Sequence, residues 1–272
     1  MDDIYEEIVR IRRKGDKAAL ATVVQVKGST PRSKGSKMLI RSDGSILGSI
    51  GGGCLESEVW EAGMKVIQEE STKVLDFDLT GKKDTPEGLI CGGIMQILIE
   101  PIISQPAVYI FGAGHVGFAV SKIAKMTGFR VIVIDDRPAY ANAERFPDAD
   151  DFYVDDPATT VNRLDIGQND YLVIACRGHL EDQLVLEQAI KTPAGYIGML
   201  GSKKKNKTVF ANLEAGGAQK EALLKVHSPV GLPITAETPE EIAVSIMAEI
   251  IDIRRKKAKA LSKASPTPVA DL

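Results

Sequence analysis

Residues Ala107–Arg137 read AVYIFGAGHVGFAVSKIAKMTGFRVIVIDDR, and the fold of the chain turns on this stretch. Five uncharged residues, Ala107 to Phe111, have the pattern of a buried strand. A glycine turn follows at Gly112, Gly114 and Gly117. Val116, Val120, Ile123 and Ala124 then recur at helical spacing, and Val131 to Ile134 make a second apolar strand that ends in Asp135 and Asp136. Strand, G-x-G-x-x-G, helix, strand and acid, in that order, form the fingerprint of a dinucleotide-binding unit. Gly112 permits the tight turn, Gly114 lets backbone approach a pyrophosphate, and Gly117 lets the helix lie close to the sheet. The free N–H groups at the helix start are suited to an anion. Asp135 is placed to accept ribose hydroxyls, which favours NAD over NADP, with Asp136 as its substitute if the register slips by one and Arg137 keeping NADP open.

The α/β alternation continues downstream. Phe152 to Val154, Asp170 to Cys176 and Ala194 to Leu200 read as strands. Helices are expected from Asp156-Pro157 through Leu164, from Glu181 to Lys191 and from about Lys203 to Ala215. Right-handed crossovers set such strands side by side in a parallel sheet, with their carboxyl ends at one crevice. Three groups gather there: His115, inside the glycine turn; Arg177 to Asp182, after the fourth strand; and Gly201-Ser202-Lys203, after the fifth. His179 reads either as an acid–base or ligand-binding group oriented by Asp182, or as part of a polar helix start. The lysine run reads either as a solvated helix face or, through Lys203 at the helix start, as a contact to a phosphate. Thr238-Pro239-Glu240-Glu241 is a capping box that opens a last helix with Ile242, Ile246, Ile250 and Ile253 on one face. The segment His227 to Pro233 before it reads as a rigid loop.

Upstream, MDDIYEEIVRIRRKG is an amphipathic helix, and Leu20 to Val26 a β-branched strand. Gly28 to Lys37 is a loop rich in glycine, hydroxyls and cations. Met38 to Arg41 and Ile46 to Ile50 pair as strands about the turn Ser42 to Ser45. Gly51-Gly52-Gly53-Cys54-Leu55-Glu56 opens a helix, and further strands are expected at Lys73 to Leu79 and Ile94 to Ile99. Three glycines before a helix can turn their N–H groups into an anion nest. Cys54 at the helix start then feels the positive end of the dipole, and Arg32, Lys34 and Lys37 can bring cations to the same anion. The residues are equally consistent with plain tight turns and with cysteines filling core gaps. Cys54 and Cys91 have no common zinc spacing.

The reading is therefore α/β: a small α+β domain over residues 1–101, a Rossmann-like parallel sheet with helices on both faces over 106–260, and a disordered tail over 261–272. Its 44% apolar and 26% charged residues are ordinary for a soluble protein. A net charge of −3 leaves no basic surplus for nucleic acid, and no apolar run approaches a membrane span. Three cysteines and no signal-peptide core point to a reducing, cytoplasmic setting.

These motifs resemble the XdhC/CoxI family, the xanthine dehydrogenase accessory factors. The likeness rests on GSTPRSKGSKMLI, GSIGGGCLE and CGG (Cys91 to Gly93) in the first domain. In the second it rests on GAGHVG, RGHLEDQLVLEQAI, YIGMLGSKKK and HSPVGLPITAETPEEIAVSIMAEI. Arg177 departs from it, standing where the family leads one to expect a threonine. The resemblance implies a protein that binds the molybdenum cofactor (molybdopterin) and protects it while a cysteine desulfurase adds the terminal sulfido ligand. Delivery to xanthine dehydrogenase or a related molybdenum hydroxylase would follow. On that reading Arg32, Lys37 and Gly51 to Gly53 suit the cofactor phosphate, one or both of Cys54 and Cys91 suit its metal–sulfur end, and Glu56 counts among the cofactor-binding candidates. The isoleucine stripe of the last helix suits a homodimer. Two rivals remain at this point: an NAD(P)-dependent oxidoreductase using His179, and an NAD-sensing regulatory module.

Overall fold

The structure, a computed structural model, describes residues 3–14, 16–80, 92–103 and 105–264. The chain divides into two compact units, with the second covering Gln105–Lys257.

The first unit opens with α1 (Ile4–Lys14), followed by β1 (Ala18–Lys27), β2 (Lys37–Arg41), β3 (Ile46–Gly48), α2 (Gly53–Glu69), β4 (Lys73–Asp78) and β5 (Ile94–Ile102). The strands form an antiparallel sheet in the order β3-β2-β1-β5-β4. Side chains alternate across a strand, and both faces of β1 are covered. Ala19, Ala21 and Val23 pack with Leu55, Val59 and Val66 of α2. Ala18 and Leu20 pack with Ile4, Ile8 and Ile11 of α1. Two-sided burial explains why LATVVQV carries little polar alternation. β3 stops at Gly48, two residues short of the sequence expectation, because the chain turns there toward the glycine cluster.

The second unit carries β6 (Ala107–Phe111), α3 (His115–Met126), β7 (Arg130–Ile134), β8 (Asp151–Tyr153), α4 (Pro157–Val161), β9 (Asp170–Ile174) and α5 (His179–Ala189). After these come β10 (Tyr196–Met199), α6 (Lys203–Ala215), α7 (Lys220–Leu223), β11 (Val226–His227) and α8 (Pro239–Ala264), which belongs to this unit as far as Lys257. The six strands are parallel in the order β11-β10-β9-β6-β7-β8. Counted within the unit, this is the doubly wound order 3-2-1-4-5-6 read from the other edge. One face buries Val108, Ile110, Val131 and Val173 against α3 and α8. The other buries Tyr109, Phe111, Ile132 and Leu172 against α5 and α6. Helices therefore cover both faces, as the unbroken apolar strands require.

Two glycines set how closely α3 approaches the sheet. A Cβ at Gly117 would overlap the carbonyl of Gly112, and one at Gly112 (φ +112°) would overlap the carbonyl of Ala175. At the start of α8 the capping box forms as the sequence dictates. Glu241 accepts from the Thr238 N–H at 3.0 Å, and the Glu241 N–H donates to Thr238 Oγ1 at 3.2 Å. That helix continues to Ala264, past the point where the sequence reading starts a disordered tail; the rest of that tail lies outside the described residues. α7 and β11 were not anticipated.

Candidate functional site

In the second unit the crevice opens where β6 lies between β7 and β9, the point at which the strand order reverses. The α3 N-terminus at Gly114 has no side-chain cap, and a Cβ at Gly114 would meet only open space. His115 and His179 are both exposed at the starts of α3 and α5.

The acid is held differently from the sequence expectation. Asp135 is buried, and its carboxylate accepts from the Ala113 N–H at 2.8 Å and from the Arg137 side chain at 2.7 and 2.8 Å. Burial alone would raise its pKa, but the bonds from Arg137 and the Ala113 N–H outweigh that and hold it below the ordinary carboxylate range. The oxygens expected to meet a ribose are thus taken up inside the protein. Asp136, the substitute, is exposed and pairs with Arg177 at 2.8 Å. That ion pair joins the ends of β7 and β9 on either side of β6.

Asp182 does not orient His179. It is 1% exposed, and it accepts from the Cys176 N–H at 2.9 Å and from Lys205 Nζ at 2.5 Å. The reason is helical geometry: Asp182 lies three residues into α5 and points at the end of β9, away from solvent. Burial, followed by the charge of Asp182, pushes the Cys176 thiol well above its ordinary range. Ser202 also has a structural task, since its Oγ caps α6 by accepting from the Lys205 N–H at 3.3 Å. Lys203 is exposed beside it.

In the first unit three loops meet at one end of the antiparallel sheet. Pro31 packs on Gly51: a Cβ there would lie 3.0 Å from the proline ring. The same loop is pressed against the second glycine cluster, where a Cβ at Gly93 would overlap the carbonyls of Ser29 and Lys27. A Cβ at Gly28 would likewise lie 3.0 Å from the Gly92 carbonyl oxygen. Arg32 and Lys34 project from this loop, both exposed, while half-buried Lys37 donates to the Gly35 carbonyl at 3.2 Å. Cys54 is exposed at the second position of α2. Cys91 lies outside the described residues.

The glycine nest, however, already holds an anion. Glu56 Oε1 accepts from Ser49 Oγ at 2.6 Å, the Ile50 N–H at 3.0 Å and the Gly51 N–H at 3.3 Å. Burial pushes this carboxyl up, and the bonds from Ser49 and from the N–H groups of Gly52, Ile50 and Gly51 pull it below its ordinary range. An acid in the first turn of α2 has folded back onto the turn before it. Gly51 and Gly52 therefore shape the loop instead of offering their N–H groups to a ligand.

The family model for the XdhC Rossmann domain matches residues 108–250, and the model for the XdhC and CoxI family matches residues 11–78. The chain belongs to the XdhC/CoxI family. It is 32% identical over 253 residues to the uncharacterized protein YqeB of Escherichia coli strain K12, across 93% of this chain and 46% of YqeB. The chain thus spans less than half of YqeB's length. It is 26% identical to a probable xanthine dehydrogenase subunit of Bacillus subtilis strain 168, across 89% of this chain and 95% of that one. It is 23% identical to the molybdenum cofactor insertion chaperone PaoD of E. coli strain K12, across 88% and 84%. A crystal structure of a xanthine dehydrogenase from Bacillus halodurans matches with a TM-score of 0.52 at 25% identity, covering 93% of this chain and 96% of that one.

Two features of this XdhC/CoxI chain escaped the sequence reading. His227, read as loop, ends the sixth strand; its Nδ1 lies 3.0 Å from Glu249 of α8, and its ring stacks on Tyr196 at 4.6 Å. The signal was available in a histidine directly before Ser-Pro. The second is Trp60, a partly exposed indole on α2 whose Nε1 donates to the Gly44 carbonyl at 2.8 Å. An aromatic set among the polar residues Ser57, Glu58 and Glu61 was its signal. Among the described residues no helix is long and apolar enough to cross a membrane.

Proposed function

We propose that this protein is an accessory factor that binds the molybdenum cofactor and hands it to a xanthine dehydrogenase-type molybdenum hydroxylase. The observation that carries the reading is the meeting of the Gly28–Lys37 loop with both glycine clusters of the first unit. It sets exposed Arg32 and Lys34 and exposed Cys54 on loops packed against one another. Family membership supports it, as does the likeness to PaoD, a molybdenum cofactor insertion chaperone.

The cofactor would supply a phosphate at one end and a soft dithiolene-bound metal at the other. Arg32 offers charge-assisted hydrogen bonds to the phosphate, with Lys34 adding positive charge. Cys54 offers a soft sulfur donor for the metal end. Glu56 fixes the turn from which Cys54 projects. Sulfuration by a cysteine desulfurase and assembly as a homodimer belong to the same proposal, as does a cytoplasmic setting. The test is purification under anaerobic conditions followed by oxidation of bound pterin to its fluorescent form. A stoichiometric pterin signal, together with activation of a cofactor-free hydroxylase, supports the reading; protein that carries and accepts no pterin contradicts it.

A second reading, NAD(P) binding in the crevice of the second unit, is favoured by the uncapped α3 start and the open space above Gly114. It requires the carboxylate of Asp135 to leave Arg137, or Asp136 to leave Arg177, before either meets a ribose.

A further inference from the structure

A cavity of about 450 Å³ opens beside α2 in the first unit, within the range of small-molecule pockets. Its accessible apolar wall is Ile46 and Trp60, with Met38 buried behind them, and its polar lining includes Ser57 and Glu61. Gly53, the first residue of α2 and the neighbour of Cys54, also lines it. Trp60 is a fixed wall, since its indole N–H is held by the Gly44 carbonyl at 2.8 Å and Gly44 lies close against its ring. Glu56 also faces the cavity, but its carboxylate is engaged by Ser49 and the glycine turn. Glu61 is exposed and makes no hydrogen bond or ion pair among the described residues. Among the described residues none that lines the cavity is a cation.

This lining selects its occupant. A phosphate is disfavoured by two carboxylates without a cation. A flat apolar wall with one unengaged carboxylate suits a planar heteroaromatic ring whose edge carries adjacent N–H donors. The amino-pyrimidinone edge of a pterin is such a group. We infer that this cavity receives the pterin ring of the cofactor, stacked on Trp60 and Ile46 with its donor edge on Glu61. The inference rests on the molybdenum-cofactor reading and gives that site its second half. Gly53 and Trp60 are two turns apart, about 10 Å along the helix axis, so the ring and the metal end would lie along one helix.

Trp60 is the sole tryptophan of the chain, so its emission reports on this cavity alone. Free pterin titrated into the full-length protein should quench it saturably. Glu61→Gln should weaken the apparent affinity about tenfold, as expected when a charge-assisted bond becomes a neutral one. Ile46→Lys, at an exposed position, should abolish saturable quenching while the circular dichroism spectrum stays unchanged. Quenching that does not saturate, or that both variants leave unaltered, overturns the inference. So does a wild-type protein that retains cofactor yet shows no pterin response at Trp60; in that case the cofactor reading stands and only the pterin placement fails. Saturable quenching in protein that never retains the whole cofactor supports the cavity and removes the cofactor reading.

Discussion

Asp136 and Arg177 stand at the ends of β7 and β9, strands separated by β6, and their side chains meet at 2.8 Å across the mouth of the crevice. Both are substantially exposed, at 37% and 55% of the side chain. Exposed pairs of this kind contribute about 0–1 kcal/mol. Arg177→Ala should therefore leave the thermal midpoint nearly unchanged. If a nucleotide uses the crevice, the same variant should bind NAD more tightly in calorimetry, because the ligand no longer has to part the pair. An NAD affinity identical to wild type would place the nucleotide elsewhere.

Asp135 is the converse case. Its folded-state pKa is depressed, so its contribution is fully present above the unfolded carboxylate value of about 3.9 and is lost as pH falls through the folded value. Asp135→Asn removes the charge that holds the Ala113 N–H and the Arg137 side chain. The expected loss is about 1–3 kcal/mol at pH 7, the cost of disturbing buried partners. In urea melts the gap between variant and wild type should narrow as the pH is lowered below 4. A gap independent of pH would mean that the carboxylate charge is not what stabilises the turn.

Much of the second unit was legible in its residues. Gly112, Gly114 and Gly117 occur at fixed offsets between two apolar strands, and the requirement for glycine at Gly112 and Gly117 has a steric reason visible in their contacts. β11 was not legible, because two residues carry no periodicity and the strand exists only through its pairing with β10. The site was less readable than the fold. Sequence spacing brings Asp135 to a strand end and Asp182 to a helix start, but it does not say that Arg137 and Lys205 will reach them first. The three glycines before α2 announce a nest, and only the folded turn shows Glu56 already within it.

That turn gives a direct test. Glu56→Ala removes the acceptor shared by Ser49 and the N–H groups of Ile50 and Gly51. The first unit should lose about 1–3 kcal/mol, and the loop carrying Cys54 should become more accessible to limited proteolysis. Glu56→Gln, which keeps an acceptor oxygen, should recover much of the loss. Unchanged stability in the alanine variant would show that the turn does not depend on this carboxylate.

The cysteines should separate by reactivity. Cys54 is exposed at a helix start, whereas the thiol of Cys176 is raised by burial and by Asp182 and so holds little thiolate at neutral pH. Native-state alkylation followed by mass spectrometry should label Cys54 at least tenfold faster. Equal rates at the two positions would contradict the placement of Cys54.

The central claim is that the loop end of the first unit holds the cofactor, and pterin retention by Arg32→Ala tests it most directly. Arg32 is exposed and makes no ion pair among the described residues, so the substitution should leave folding intact. Losing a charge-assisted phosphate contact of about 1–3 kcal/mol corresponds to a roughly five- to hundred-fold fall in affinity. Anaerobically purified Arg32→Ala protein should therefore retain far less oxidisable pterin than wild type, with an unchanged circular dichroism spectrum. Full pterin retention by that variant, combined with full retention by Cys54→Ala, would contradict the account and move the site away from these loops.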